Sequence, residues 1–342
     1  MSSNYRMCPL TVHFTPQGIL IPEIALWLDP GQPVDSAWFS HAHGDHARGY
    51  PRHVLATAET LFFYRLRWPE TPDVPQACEA IPLGVPVSWR DATLTALPAA
   101  HIVGAAQLLI ERQGYRLLYT GDLKRRAPIC GRETEPVPCH RLIIESTFGL
   151  PIFHFLDRQV ARERIVAFAQ DALADRATPI FYGYPLGRGQ EIAHALATAG
   201  IPVALHGAMV KFLAGYEAAG FGFPGWTPYE SRNTPGKALV VVPGMRDVLE
   251  ASGRDVRIAY VSGWAAMANA RTRVGAQELI PYSDHADFGE LLELVAAYAP
   301  EEIDIVHGYA EPLAGILRGR GWNARAAVAL AERSEEEQEL RA

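Results

Sequence analysis

One short segment, His41-Ala-His43-Gly-Asp45-His46, constrains this chain more than any other. It follows Ser36–Ser40, a run with the character of a β-strand. In extended backbone, residues two apart point to the same side, so the first two histidines face one way. The glycine permits a sharp turn that returns the aspartate and the last histidine toward them. Imidazole and carboxylate are ligands of zinc and similar metals, so the segment predicts a metal site; the alternative is a solvated polar loop.

Three further side chains of the same chemical kind follow apolar runs elsewhere in the chain. They are His101, Asp122 and His307. Each alone is a weak signal, because a histidine after a strand more often makes a structural hydrogen bond. Together with the His41–His46 segment, they could supply ligands for more than one metal ion.

The composition is that of a folded globular protein with one large or two interlocked domains. The chain has 342 residues, of which 49% are hydrophobic and 20% are charged. Its 38 Asp and Glu residues outnumber its 31 Lys and Arg residues, and the net charge is −7. Proteins that wrap nucleic acid without specificity are usually basic. A nucleic-acid site here must therefore be a local patch, or metal ions must supply its positive charge.

The cysteines and the N-terminus predict a cytoplasmic protein with no membrane contact. The 4 cysteines include no C-x-x-C pair, which argues against a zinc ribbon and a disulfide framework and favours reduced thiols. No N-terminal stretch has the pattern of a signal peptide. No window of about 18 residues is apolar throughout, as a membrane span would require.

The hydrophobic pattern changes along the chain. The first half reads as short strands with turns, including a hairpin from Leu108–Arg112 to Arg116–Thr120. Beyond about residue 155, strands alternate with helices, and Gln159–Asp175 and Gln190–Thr198 have helical periodicity. Such alternation predicts a parallel-sheet α/β unit. The Glu-rich end of the chain predicts a frayed tail.

The order of these residues resembles the metallo-β-lactamase superfamily. The resemblance rests on Asp29, the His41–His46 segment, His101 and Asp122. It implies two divalent metal ions, with zinc favoured and manganese as the alternative. It also implies the ligands: His41, His43 and His101 on one ion, Asp45, His46 and His307 on the other, and Asp122 as the bridge. Asp29 would orient one of these ligands from the side that faces away from the metal.

Further motifs resemble the β-CASP branch, the nucleases of this superfamily. Leu142–Gly149 looks like motif A, Pro281–Asp287 like motif B, Val306–Gly308 like motif C, and Gly187–Glu191 like a segment of the inserted domain. The resemblance implies an α/β fold, a metallo-β-lactamase αββα sandwich with an inserted α/β β-CASP domain. The sandwich would take residues 1–155 and 275–335, the inserted domain 156–274, and an acidic tail 336–342.

The resemblance also assigns catalytic roles. His285 would be the general acid that protonates the leaving sugar oxygen, and Glu145 would hold it protonated and correctly turned. Asp45 would act in catalysis as well as in metal binding. Without the resemblance, Glu145 is an ordinary carboxylate at a strand end, and His285 a loop histidine before a helix.

Four basic residues are candidates for contact with a nucleic-acid backbone. They are Lys124, Arg125, Arg126 and Arg188. The first three directly follow Asp122, and Arg188 precedes a predicted helix whose N-terminus could cradle a phosphate. The alternative for the first three is a solvated surface run.

Within the branch, Ser262–Ala265 and Ser283–Asp287 resemble the bacterial ligase-associated DNA exonucleases, which are often labelled mRNA 3′-end-processing-factor-like. This implies an exonuclease that trims single-stranded DNA in repair, linked to an ATP-dependent DNA ligase and a helicase. By the family's rough rule, a histidine at motif C, here His307, goes with RNA instead. The alternatives are an RNA-processing endo- or exoribonuclease, a small-molecule metallo-hydrolase, and a metal-free scaffold.

Overall fold

The structure, a computed structural model, describes residues 10–48, 50–68, 77–230, 234–242 and 255–327. The expected acidic tail at 336–342 lies outside the described residues. Within them the strands are β1 (His13–Thr15), β2 (Gly18–Ile21), β3 (Leu26–Leu28), β4 (Ser36–Trp38), β5 (His53–Ala56), β6 (Ala77–Ala80), β7 (Val87–Trp89), β8 (Ala92–Pro98), β9 (Ala106–Arg112), β10 (Tyr115–Tyr119), β11 (Arg141–Glu145), β12 (Thr178–Tyr182), β13 (Val203–Leu205), β14 (Trp226–Pro228), β15 (Ala238–Val241), β16 (Val256–Ser262), β17 (Glu278–Pro281), β18 (Glu302–Val306) and β19 (Ala324–Ala326).

The helices of the described residues are α1 (Ala58–Arg67), α2 (Arg158–Ala174), α3 (Arg188–Thr198), α4 (Gly207–Val210), α5 (Leu213–Ala218), α6 (Ala270–Val274), α7 (Phe288–Tyr298) and α8 (Ala310–Gly319). Single 3-10 turns lie at Pro22–Ile24 and Gly263–Ala266. The two predicted helices correspond to α2 and α3. The side chain of Asp157 caps α2 by accepting a hydrogen bond from the Gln159 amide, at 2.8 Å.

Two sheets pack face to face in the first part of the fold. One has the strand order β1-β2-β3-β4-β5-β6, and the other has the order β19-β18-β11-β10-β9-β8-β7. The predicted hairpin is β9–β10, with Leu117 paired to Ile110. Strands β18 and β19 come from late in the chain and extend the second sheet beyond β11 in parallel.

Alternation of apolar side chains explains the layering. On β9, Leu108 and Ile110 point into the core shared with the first sheet, whereas Leu109 lies in the apolar cluster on the opposite side. On β10, Leu117 and Leu118 divide between the two clusters in the same way. Both faces of the second sheet are therefore apolar, so each must pack against another layer of the fold.

Helices supply the outer covers. Leu61 and Tyr64 of α1 pack with Val54 on the outer side of the first sheet. Leu291 of α7 and Leu313 of α8 belong to the cluster on the outer side of the second sheet. The layers thus run helix, sheet, sheet, helix, which confirms the predicted αββα sandwich.

The third sheet forms the inserted α/β unit. Its strand order is β14-β13-β15-β12-β16-β17, and every pairing in it is parallel. Because ligands bind at the carboxyl ends of strands in such sheets, the residues that follow β12, β16 and β17 mark a site. The structure therefore confirms that an α/β domain is inserted, as predicted.

The far boundary of this unit lies later than the sequence indicates. Strand β17 pairs with β16 in the third sheet, with Leu279 opposite Tyr260. The inserted sheet therefore continues to Pro281, past the expected boundary at residue 274. Which sheet a strand joins depends on its contacts with distant residues, and the local sequence pattern does not show these.

No helix in the described ranges is long and apolar enough to cross a bilayer.

Candidate metal centre

The predicted metal ligands and catalytic residues come together at one edge of the sandwich, because each lies at or after the end of a strand. The positions are His41, His43 and His46 after β4, His101 after β8, Asp122 after β10, Glu145 at the end of β11, His285 after β17 and His307 after β18. Most of these side chains are buried, although they are polar. Buried polar groups of this density need mutual satisfaction or a bound ion.

The first ligand group consists of His41, His43, His101 and Asp122. One ligand atom of each lies within 4.8 Å of the others, and all four residues are buried. The Nε2 atom of His41 lies 3.5 Å from Asp122 Oδ2, and Nε2 of His101 lies 4.0 Å from the same oxygen. Three imidazoles and a carboxylate around one point form a donor set suited to zinc and similar ions.

Hydrogen bonds behind the rings determine which nitrogen faces this point. Asp29 accepts a hydrogen bond from the Ser40 hydroxyl, so Ser40 Oγ is left to accept from Nδ1 of His41, at 3.0 Å. The Nε2 atom of His41 then presents its lone pair to the site. It is buried and makes no hydrogen bond to any described residue, which fits the chemistry of a metal ligand.

The other two histidines of the first ligand group are held by backbone carbonyls. Nε2 of His43 lies 2.8 Å from the Leu186 oxygen, and Nδ1 of His101 lies 3.0 Å from the Asp284 oxygen. Donation to these carbonyls leaves His43 Nδ1 and His101 Nε2 facing each other across 3.2 Å. A shared cation would hold both lone pairs.

His46 and Asp29 begin a second cluster beside the first. Nδ1 of His46 lies 2.8 Å from Asp29 Oδ2, which also accepts a hydrogen bond from the Tyr119 hydroxyl at 2.7 Å. Nε2 of His46 then faces Asp122 Oδ2 at 3.2 Å and the Asp45 carboxylate at 3.8 Å. Asp29 thus lies behind the ring, as predicted, and Asp122 lies between the two clusters.

The electrostatics of the site keep most of these rings neutral. Burial, together with neighbouring histidines, lowers the pKa of His43 to about 3 and the pKa values of His41 and His101 below their usual range. Burial would also lower the pKa of His46, but Asp122 and Asp45 outweigh it and raise that pKa well above its ordinary value. Burial opposes the charge on Asp122, but His46 and His285 hold its pKa well below the usual range. Neutral imidazoles around an ionised carboxylate are in the state that metal binding requires.

Glu145 and His285 form a buried pair beside Asp122. Nδ1 of His285 lies 2.8 Å from Glu145 Oε1. Glu145 is held in turn by the backbone amides of Leu123 and Thr147, each at 3.0 Å. The opposite nitrogen of His285 lies 3.9 Å from Asp122 Oδ2. The structure therefore brings the two predicted acid–base residues to the ligands.

Asp45 and His307 lie at the margin of the site. The ring centroid of His307 is 5.3 Å from that of His46, and the His307 backbone is left-handed, with φ of 57°. The next residue, Gly308, passes so close to Ser146 that a Cβ would lie 2.4 Å from the Ser146 carbonyl oxygen. Neither Asp45 nor His307 belongs to the tightest ligand groups among the described residues. Their role as ligands stays a prediction.

The four predicted nucleic-acid contacts divide into two kinds. Lys124 is buried, with Nζ 3.6 Å from Glu290, and Arg188 is 1% exposed. Neither presents its charge to solvent, so the structure does not support them as contacts to a nucleic-acid backbone. A run of basic residues in the sequence does not reveal which side chains point into the protein. Arg125 is partly buried, and Arg126 is 56% exposed and 3.5 Å from Glu290.

Sequence reasoning missed Asp284. It is buried, its carbonyl holds His101, and Arg188 and nearby histidines overcome the effect of burial and keep its pKa well below the usual range. Its position next to His285 in the sequence was the available signal. The motif was interpreted through its histidine, so the neighbouring aspartate was given no role.

Comparison with known proteins identifies the relatives of the chain, although no protein-family model matches it. It is 34% identical over 324 residues to a probable DNA ligase of Opitutus terrae, a match covering 92% of this chain and 31% of that protein. It is 34% identical over 101 residues to cleavage and polyadenylation specificity factor subunit 3 of Dictyostelium discoideum, covering 29% of this chain and 13% of that protein. It is 26% identical over 178 residues to an RNase J-like protein of Methanocaldococcus jannaschii, covering 46% of this chain and 42% of that protein.

These relatives include nucleases of the β-CASP branch of the metallo-β-lactamase superfamily. The chain is homologous to that branch, and its motifs and fold agree with it. β-CASP proteins are metal-dependent nucleases, and the His and Asp cluster of this chain can bind metal ions. This chain spans less than half the length of each of the three relatives named above.

One solved structure is similar in fold. A protein of unknown function from Enterococcus faecalis V583 superposes with a TM-score of 0.54, covering 79% of this chain and 74% of that one. The two are 15% identical, so the likeness concerns the fold alone.

Proposed function

We propose that this protein is a two-metal phosphodiesterase that shortens single-stranded DNA from an end and acts with an ATP-dependent DNA ligase and a helicase. The observation that carries the proposal is the arrangement around Asp122. One of its oxygens lies within 4.0 Å of ring nitrogens from His41, His46 and His101, and within 3.9 Å of His285.

The residues present fit two divalent ions. The first would be held by His41, His43, His101 and Asp122, and the second by Asp45, His46, His307 and Asp122. Imidazole-rich ligand sets favour zinc, with manganese as the alternative. When bound, such a pair of ions activates water and neutralises charge on a phosphate. The other steps fall to side chains of this chain.

His285 would donate the proton to the departing sugar oxygen. Because Glu145 accepts the Nδ1 hydrogen, the Nε2 atom of His285 is the one turned toward Asp122 and the substrate. Protonated Nε2 gives its proton to the oxygen as the P–O bond breaks, and the Glu145 carboxylate stabilises the imidazolium beforehand. The amides of Leu123 and Thr147 keep Glu145 from turning away.

Two considerations support a single DNA strand as substrate. The ligands are buried at strand ends between the sandwich and the inserted sheet, so the substrate must bring one phosphate group into a narrow space. A flexible single strand can do this more readily than a duplex. The relative whose match covers 92% of this chain is named as a probable DNA ligase. That match supports a functional link to ligation.

RNA is the second candidate substrate. The shorter matches are to proteins named as a cleavage and polyadenylation factor and an RNase J-like protein, and His307 follows the family's pattern for RNA. The ribose 2′-hydroxyl is what separates RNA from DNA, and a histidine that binds metal does not contact it directly. We therefore rank DNA first.

The test uses single strands of DNA and RNA of matched sequence, labelled at either end, with protein reloaded with zinc or manganese. The expected result is progressive shortening of DNA. Degradation of RNA with DNA left intact would overturn the substrate, and a single internal cut would overturn the exonuclease mode. His285→Ala tests the site, and His194→Ala, which changes a partly exposed histidine on α3, is the matched control.

A further inference from the structure

Loops that follow strands of the inserted sheet orient two of the three histidines in the first ligand group. The carbonyl that holds His43 belongs to Leu186, in the loop after β12, and the one that holds His101 belongs to Asp284, in the loop after β17. Both loops follow strands of the inserted sheet. Only His41 is held by a residue of the sandwich, Ser40.

The two loops contact each other tightly. Gly187 has φ of +115°, and a Cβ at this position would lie 2.7 Å from Asp284 Oδ2 and 2.7 Å from Ile102 Cγ2. Ile102 directly follows His101. A side chain at residue 187 would therefore push apart the Leu186 carbonyl, the Asp284 loop and the His101 loop, and the backbone angle itself favours glycine.

Arg188 links these loops to the sheet. It begins α3 directly after Gly187, and its guanidinium Nη1 donates a hydrogen bond to Ser262 Oγ at the end of β16, at 3.2 Å. It is also the largest favourable charge acting on Asp284. A cation that is 1% exposed is costly to bury, and its hydrogen bond to Ser262 offsets part of that cost.

We infer that Arg188 and Asp284 are positioning residues that set the metal affinity of the first ligand group. Arg188, bound to Ser262, and the close packing at Gly187 fix the Leu186 and Asp284 carbonyls. These carbonyls keep His43 Nδ1 and His101 Nε2 facing inward. The inserted domain thus contributes to ion binding through its backbone. The inference rests on the metal site of the proposed function.

The test measures metal affinity without any nuclease assay. Apo protein is titrated with Zn²⁺ in competition with a chromogenic chelator, and with Co²⁺, whose visible spectrum reports ligand geometry. Arg188→Met is compared with Arg141→Met, which removes another largely buried arginine, one that pairs with Asp304 at 2.6 Å. Arg141 lies on β11 in the second sheet, so its loss costs stability without touching the carbonyls.

The expected result is two bound ions in the wild type and in Arg141→Met. In Arg188→Met, one ion is bound about 10–100-fold more weakly, with an altered Co²⁺ spectrum, as is typical when a supporting interaction behind a ligand is lost. Arg188→Lys, which keeps the charge, should recover part of the affinity. Gly187→Ala leaves Arg188 in place but adds a Cβ that would lie 2.7 Å from Asp284 Oδ2, so it tests the same loop contact if Arg188→Met does not fold.

The outcomes separate this inference from the proposed function. A wild-type protein that binds no metal contradicts the proposed function. A wild type with two ions, together with a folded Arg188→Met or Gly187→Ala of equal affinity and spectrum, overturns the positioning role. Equal losses in Arg188→Met and Arg141→Met would also overturn it, because the effect would then come from general destabilisation.

Discussion

Nδ1 of His285 lies 2.8 Å from Oε1 of Glu145, and both side chains are buried. Glu145 ends β11 and His285 follows β17, so the pair joins the second sheet of the sandwich to the inserted sheet. The hydrogen bond turns the Nε2 atom of His285 toward Asp122 rather than toward the protein interior. In the proposed function, proton transfer and metal binding therefore fall to different residues that lie side by side.

This division predicts different losses in two variants. His285→Ala should slow strand cleavage by about 10²–10⁴-fold and keep both metal ions, because it removes only the proton donor. Asp122→Ala should lose metal as well as activity, since its carboxylate lies between the two clusters. Elemental analysis of the two purified variants, beside rate measurements, checks this. If His285→Ala loses an ion, His285 is a ligand.

Metal content is the second prediction. The seven predicted ligand side chains exceed what one tetrahedral ion can use, so reloaded protein should hold two divalent ions per chain. Exhaustive chelation should abolish cleavage and lower the melting temperature, because ions that bind only the folded state stabilise it. Elemental analysis and thermal unfolding measure both effects. Less than one tightly bound ion per chain after reloading would contradict the site.

Glu191 gives a pH-dependent prediction. Burial, and then the nearby Asp284, raises its pKa to about 8 in the folded protein. Below pH of about 4.5 the folded and unfolded states both hold the proton. Between there and pH of about 8 only the folded state holds it, so the stability contributed by this group falls as pH rises through that window. The loss amounts to roughly 5 kcal/mol at about 1.4 kcal/mol per pH unit.

Glu191→Gln carries no such proton and should escape this loss. Its free energy of unfolding, measured by urea at a series of pH values from 5 to 9, should therefore gain on the wild type as pH rises. Glu217→Gln changes an exposed residue on α5 and should run parallel to the wild type. Parallel curves for Glu191→Gln as well would show that Glu191 is ionised in the folded protein.

Charge at the surface provides the last prediction. Arg125 and Arg126 remain the candidates for backbone contact, since Lys124 and Arg188 are buried. Replacing both with Met should weaken binding to all sequences alike and reduce the slope of log K against log salt by about 1–2. Arg318→Met changes a half-exposed arginine on α8 and is the control. Binding with an unaltered salt slope would exclude Arg125 and Arg126.

Much of the architecture follows from local pattern. The apolar runs of β9 and β10 around Gly114 predict the observed hairpin, and helical periodicity predicts α2 and α3 nearly to the residue. The His41–His46 segment predicts a ligand cluster because extended backbone and a glycine turn fix its geometry locally.

What the sequence leaves open depends on contacts between distant residues. Burial of Lys124 and Arg188 is decided by partners such as Glu290 and Asp284, which lie far along the chain. The support of His43 by Leu186 involves a backbone carbonyl, which has no signature in the residue letters. The membership of β17 in the inserted sheet likewise depends on which strand edge is available.

The parallel pairing of β11 with β18 has a consequence for how the chain is made. A ribosome delivers β11 first and then the entire inserted domain before β18, α7 and α8 can close the sandwich. Until then the outward side chains of β11, such as Leu142 and Ile144, have no cover from α7 and α8. Exposed apolar strands of nascent chains are prone to aggregation and are bound by chaperones. Because His285 and His307 also emerge late, the complete site can take up its ions only after synthesis has passed motif C.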